Sequence, residues 1–119
     1  MQHRYVVHAA SGKELIELTE VDTVISSAQD FLQLMMNLPA DIIILHKENL
    51  DESFFDLRSG LAGELLQKVS NYSRQLALVG DFSIYNSKSL RDFIYESNES
   101  NRVVFVATVE EAIKKLSAN

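Results

Sequence analysis

The sequence predicts a single α/β domain, a mixed but mostly parallel sheet of about five strands with helices packed on it. Three observations carry that expectation. Residues 42–45 (IIIL), 76–79 (LALV) and 103–106 (VVFV) are unbroken apolar runs of four, the pattern of strands covered on both faces. Between and after them lie stretches whose apolar residues recur at three and four positions, the helical period. Ahead of them, two short segments flank a Ser-Gly-Lys turn, which reads as an opening hairpin.

Taken in order, residues 4–9 are β-branched and aromatic. Ser11, Gly12 and Lys13 turn the chain, and residues 14–19 alternate as a second strand. From Ser27 the period changes: Ala28, Phe31, Leu32, Met35 and Leu38 define a helix, with Ser27 and Asp30 spaced as a capping pair and Pro39 as its stop. Strand 42–45 opens into polar residues 46–52, expected to be a surface loop. A helix over 60–72 follows, its stripe formed by Leu61, Leu65, Leu66, Val69 and Tyr72. After strand 76–79, Asn86 to Ser89 can cap a helix that turns Leu90, Phe93 and Ile94 inward. Strand 103–106 leads to Thr108-Val109-Glu110-Glu111, a capping box, and a closing helix with Ala112, Ile113 and Leu116 inward. Met35, Met36 and the aromatic residues are assigned to the core. Strands alternating with helices need right-handed crossovers, so the sheet should be parallel apart from the hairpin.

The 119 residues, 46% hydrophobic and 24% charged, suffice for one core. Eleven Lys and Arg against 17 Asp and Glu leave a formal charge of -6, which argues against nucleic-acid binding, since that affinity rests on clustered cations. There is no cysteine, hence neither a disulfide nor a thiolate site. His3, His8 and His46 lack metal-ligand spacing, and no phosphate-loop, dinucleotide or nucleophile-elbow motif occurs, so neither a metal nor a cofactor is expected. The first residues suit neither a signal peptide nor a membrane span, and the expected location is cytoplasmic, without membrane contact.

A site in such a sheet is expected where the loops leaving the parallel strands meet. That rim should gather His46 and Lys47, then Arg58, Ser59 and Gly60, then Gly80, Asp81, Phe82 and Ser83, and finally Ala107 and Thr108. Ser59 before Gly60 either caps the helix or accepts a phosphoryl group that the helix start favours. Arg58 either clamps an anion or pairs with Asp56, Asp81 or Glu64. Asp81 either holds a hydroxyl or metal, or turns the chain.

Asp56-Leu57-Arg58-Ser59-Gly60-Leu61, followed by Leu76-Ala77-Leu78-Val79-Gly80, together with the order of elements, resembles the STAS domain of bacterial anti-sigma factor antagonists of the SpoIIAA type. That resemblance implies a regulatory fold, a protein partner and a phosphorylated hydroxyl, which falls on Ser59. Arg58 stands where that family has Ser, and Asp56 lies one residue further upstream than its Asp. Residues 54–67, 76–82 and 87–98 more closely resemble a bacterial domain family of unknown function numbered 4180, which implies no activity.

Three kinds of function follow as expectations. The first is a non-enzymatic interaction module whose Ser59 acts as a switch, with Arg58, Ser59, Gly60, Gly80, Asp81 and Ser83 as its site. The second is a sensor holding a small anionic ligand or nucleotide at Arg58, Ser59 and Gly60. The third is a hydrolase or transferase built on Asp81 and His46. Self-association as a homodimer through the edge strand 4–9 stands beside all of them.

Overall fold

The computed structural model describes residues 3–118. Its hairpin consists of β1 (Tyr5–Ala10) and β2 (Lys13–Leu18), joined by Ser11 and Gly12 at φ +53° and +77°. Two consecutive positive φ values are what the tightest hairpin turn requires, and the residue pair explains the turn's position. Helix α1 (Ala28–Asn37) leads to β3 (Ile42–His46), α2 (Leu61–Asn71) to β4 (Gln75–Val79), and α3 (Lys88–Ser100) to β5 (Val103–Val106), after which α4 (Val109–Ser117) closes the chain.

The five strands lie side by side in chain order, with β1 antiparallel to β2 and every later pairing parallel. Each parallel step moves one place in the same direction. Right-handed crossovers therefore put α1, α2 and α3 on one face of the sheet. Phe31, Met35, Leu65, Val69 and Leu90 pack there on Ile16, Leu18, Ile43, Leu45, Leu76, Leu78 and Phe105. Alternate strand residues point the other way. Leu15, Ile44, Ala77, Val79, Val104 and Val106 are covered by Ala112 and Leu116 of α4.

Local chemistry explains the helix starts. Ser27 accepts the Asp30 N–H at 3.1 Å, while the Asp30 carboxylate turns to the Ser26 N–H and hydroxyl instead of closing a box on Ser27. Ser87, between the expected Asn86 and Ser89, caps α3 through the Leu90 N–H. Thr108 accepts the Glu111 N–H at 3.1 Å.

Three expectations need correction. Tyr72 is not in the buried stripe of α2: it is the C-terminal cap residue and 44% exposed. The core assignment also fails for Met36, 51% exposed because α1 turns only Phe31, Leu34 and Met35 inward, and for Tyr5 and Tyr95, 39% and 67% exposed. The stretch 46–52 is not an open surface loop: His46 ends β3, and the first of three short 3₁₀ turns, Lys47–Asn49, Glu52–Phe55 and Leu57–Ser59, begins directly after it, in a segment that buries Asn49, Leu50, Phe54 and Phe55. Asn49 holds this segment in place, accepting the His46 N–H and donating to the carbonyls of Glu20 and Thr23.

Candidate functional site

The rim expected from the sequence is divided in two by an aromatic wall. Phe55 stacks on Tyr85 with centroids 4.7 Å apart and packs on Phe82 at 5.9 Å, and Phe82 meets Phe105 edge-on at 5.2 Å. The turns before α2 are thereby fixed to the segment after β4.

On the α2 side stand Asp56, Arg58, Ser59 and Gly60. Of the three partners considered for Arg58, the structure selects Asp56: its guanidinium lies 3.2 Å from that carboxylate, with 91% of the Arg58 side chain in solvent. The hydrogen bond from Arg58 holds the Asp56 carboxyl below the usual carboxylate range. Gly60, at φ +81°, is the residue that precedes α2, and the left-handed conformation accounts for glycine there. Ser59 sits one place earlier, so its hydroxyl is not in the ordinary capping position. It donates to the Ser53 carbonyl and accepts the Leu61 N–H at 3.2 Å.

On the other side, Gly80, Asp81 and Ser83 line a groove of about 460 Å³. Phe82, Ile94, Phe105 and Val106 supply its apolar part and Glu111 a second carboxylate. The groove opens here for a topological reason: β4 is followed by a helix on one face and β5 by a helix on the other, so the two connections diverge. Asp81 accepts from the Ser83 hydroxyl and N–H, and those bonds, with the charge of Lys47, hold its carboxyl below the usual range. Lys47 reaches across from the end of β3, donating to the Asp81 carbonyl at 3.2 Å with its ammonium 5.0 Å above the Tyr85 ring. Gly80 is required by that crossing, since a Cβ there would lie 2.6 Å from the Lys47 Cβ. Ser59 is not among the residues that line this groove. The wall of Phe55, Phe82 and Tyr85 connects the two regions.

Sequence reasoning missed the groups around Glu17. Its carboxylate bridges the Nε2 atoms of His8, at 2.9 Å, and His46, at 2.7 Å. Burial would raise the Glu17 carboxyl, but the hydrogen bonds and charge of the two imidazoles outweigh it and hold the group below its usual value. His3 pairs with Glu20 at 2.7 Å. Glu17, Glu20, His46 and Glu48 edge a smaller crevice of about 220 Å³ at the ends of β2 and β3. Alternation along the strands was the one available signal, because it sets His8, Glu17 and His46 on the α4 face. His46 and Asp81 each engage separate partners, Glu17 and Ser83. A wider hollow of about 720 Å³, edged by Gly12, Lys13, Pro39 and Asp41, lies at the opposite end of the sheet.

No group of three or more His, Asp or Glu side chains suited to a metal ion occurs among the described residues, and none of their helices is long and apolar enough to cross a membrane. The fold and rim define a compact α/β domain with a five-stranded, mostly parallel sheet and a divided upper surface. Residues 10–116 match the model of a domain of unknown function, DUF4180, and the chain belongs to that family. A comparison with curated proteins finds none that matches.

Proposed function

We propose that this domain is a cytoplasmic, non-enzymatic interaction module of STAS-like kind. It docks a partner protein on the rim around Ser59, Gly60 and Asp81, and phosphorylation of Ser59 controls the docking. One observation carries this reading: the exposed Ser59 hydroxyl is the joint between the 3₁₀ turns and α2, bonded to Ser53 on one side and to Leu61 on the other. Phosphorylation removes the O–H donor and brings about two negative charges to a place where the Ser53 carbonyl repels them and the start of α2 attracts them. The preceding turn must then re-seat. It carries Phe55, which is stacked on Tyr85, so the change reaches the Asp81 side of the rim.

The test is a phosphopeptide map of the chain from its native cells, combined with partner affinities for Ser59→Ala and Ser59→Asp. Occupancy at Ser59 and affinities differing by about tenfold or more are expected, matching one to three charge-assisted hydrogen bonds. An unmodified Ser59 in all growth conditions, with both variants binding like wild type, overturns the reading.

A second reading, a sensor of a small anionic ligand or nucleotide at Arg58, Ser59 and Gly60, is favoured by the cap at Gly60. Gly60 has no side chain to occupy the first-turn amides of α2, and Ser59 takes the Leu61 N–H alone. Such a ligand at 100 times its dissociation constant raises stability by about 2.7 kcal/mol. A thermal-shift screen of nucleotides, phosphates and carboxylates without any hit removes it.

A further inference from the structure

The two edges of the sheet are finished differently. On the outer side of β5, Asn98 of α3 accepts the Phe105 N–H at 2.6 Å and donates to the Phe105 carbonyl at 3.3 Å, while Ser97 donates to the Val103 carbonyl. The Asn98 amide imitates a residue of a neighbouring strand, so this edge is closed.

At β1 no described residue plays that part. The Thr19 N–H binds the Arg4 carbonyl at 3.0 Å, so by the alternation of an antiparallel ladder the backbone groups of Tyr5, Val7 and Ala9 point away from the sheet. The register with β2 runs from Tyr5 opposite Leu18 to Ala10 opposite Lys13 without a bulge. The strand, YVVHAA, contains neither lysine, proline nor carboxylate, the usual deterrents to edge pairing. Tyr5, Val6 and Val7 are 39%, 46% and 49% exposed, while the apolar residues of the other four strands are buried.

We propose that β1 pairs antiparallel with β1 of a second copy about a two-fold axis at Val7, making one continuous sheet through both molecules. Val7 then faces the second copy's Val7, and Tyr5 faces its Ala9, large against small, so every outward N–H and C=O gains a partner. Charge permits this approach although each chain carries -6. The seam itself is free of carboxylates; of those beside it, Glu17 is held by His8 and His46 and Glu20 by His3, while Glu14, opposite Ala9, is exposed one strand back from the axis. Because Asn98 closes β5, assembly stops at two copies rather than growing edge to edge.

Light scattering and sedimentation of the full chain from about 1 to about 200 μM should show a dimer at the upper end. Val7→Pro removes an outward N–H without touching a bond to β2, and Val7→Lys opposes two like charges across the axis. Each should raise the dissociation constant at least about tenfold while the far-UV circular dichroism stays that of the wild type. If Val7→Pro does not fold, Val7→Lys decides. Amide exchange at Tyr5, Val7 and Ala9 should slow as concentration rises. A monomer throughout that range overturns the proposal, as does a dimer that neither variant weakens.

Discussion

Asn98 stands to Phe105 as a strand would: its side-chain amide binds both backbone groups of that residue, at 2.6 and 3.3 Å. With Ser97, which donates to the Val103 carbonyl, it completes the β5 edge of the sheet from α3. The arrangement satisfies buried backbone groups and denies them to other chains.

Replacing Asn98 by Ala leaves the Phe105 N–H and carbonyl without partners. A loss of about 1–3 kcal/mol is expected from the desolvated backbone groups, measured as a lower denaturant midpoint with the slope unchanged. Larger assemblies should also form, since both edges are then open. An unaltered midpoint would show that the clamp contributes nothing.

Gly80→Ala tests the crossing of Lys47. The new methyl would lie 2.6 Å from the Lys47 Cβ, an atom next to the backbone that cannot swing aside. Overpacking of this kind costs about 1–3 kcal/mol. Because the clash is with the Cβ, adding Lys47→Ala should not restore stability, and recovery in that double variant would refute the explanation.

Acid stability reports on Glu17. Its carboxyl titrates lower in the folded chain than in the unfolded one, so its contribution is complete well above about pH 4.3 and fades as pH falls from there through the folded value. The wild type should lose stability over that acidic window, and Glu17→Gln should flatten the curve of denaturant midpoint against pH. Parallel curves for the two proteins would contradict the assignment.

The Tyr85 hydroxyl is buried and has no hydrogen-bond partner among the described residues, and burial, with the charge of Glu52 behind it, pushes its pKa up. Tyr85→Phe keeps the ring beneath Lys47 and against Phe55 while removing the unpaired group. Thermal unfolding should therefore show the variant at least as stable as the wild type, with a gain of up to about 1–3 kcal/mol. Clear destabilisation would mean that the hydroxyl is bonded after all.

Much of the fold was legible in the letters because its causes are local. The runs 42–45, 76–79 and 103–106 became β3, β4 and β5, with His46 and Gln75 added at two ends, and Thr108 caps α4 where the spacing placed it. The errors fall where packing overrides composition. Polar residues at 46–52 suggested a loop, yet Asn49 is only 2% exposed because its amide finds partners in a segment more than 20 residues away. The site was legible only as a set of rim residues: Arg58 was named with three candidate partners, among which only the structure chose Asp56, and Lys47 was named without its course across Gly80.

By itself, the sequence determined the elements, their alternation and hence the parallel sheet, since periodicity, turns and caps act over a few residues and crossover handedness is general. Only the tertiary structure decided that α4 takes the face opposite the other helices, that Glu17 joins two histidines from separate strands, and that β5 is closed while β1 is open. Those outcomes depend on contacts between residues far apart in the chain, or between a helix side chain and a strand backbone, which no short-range pattern encodes.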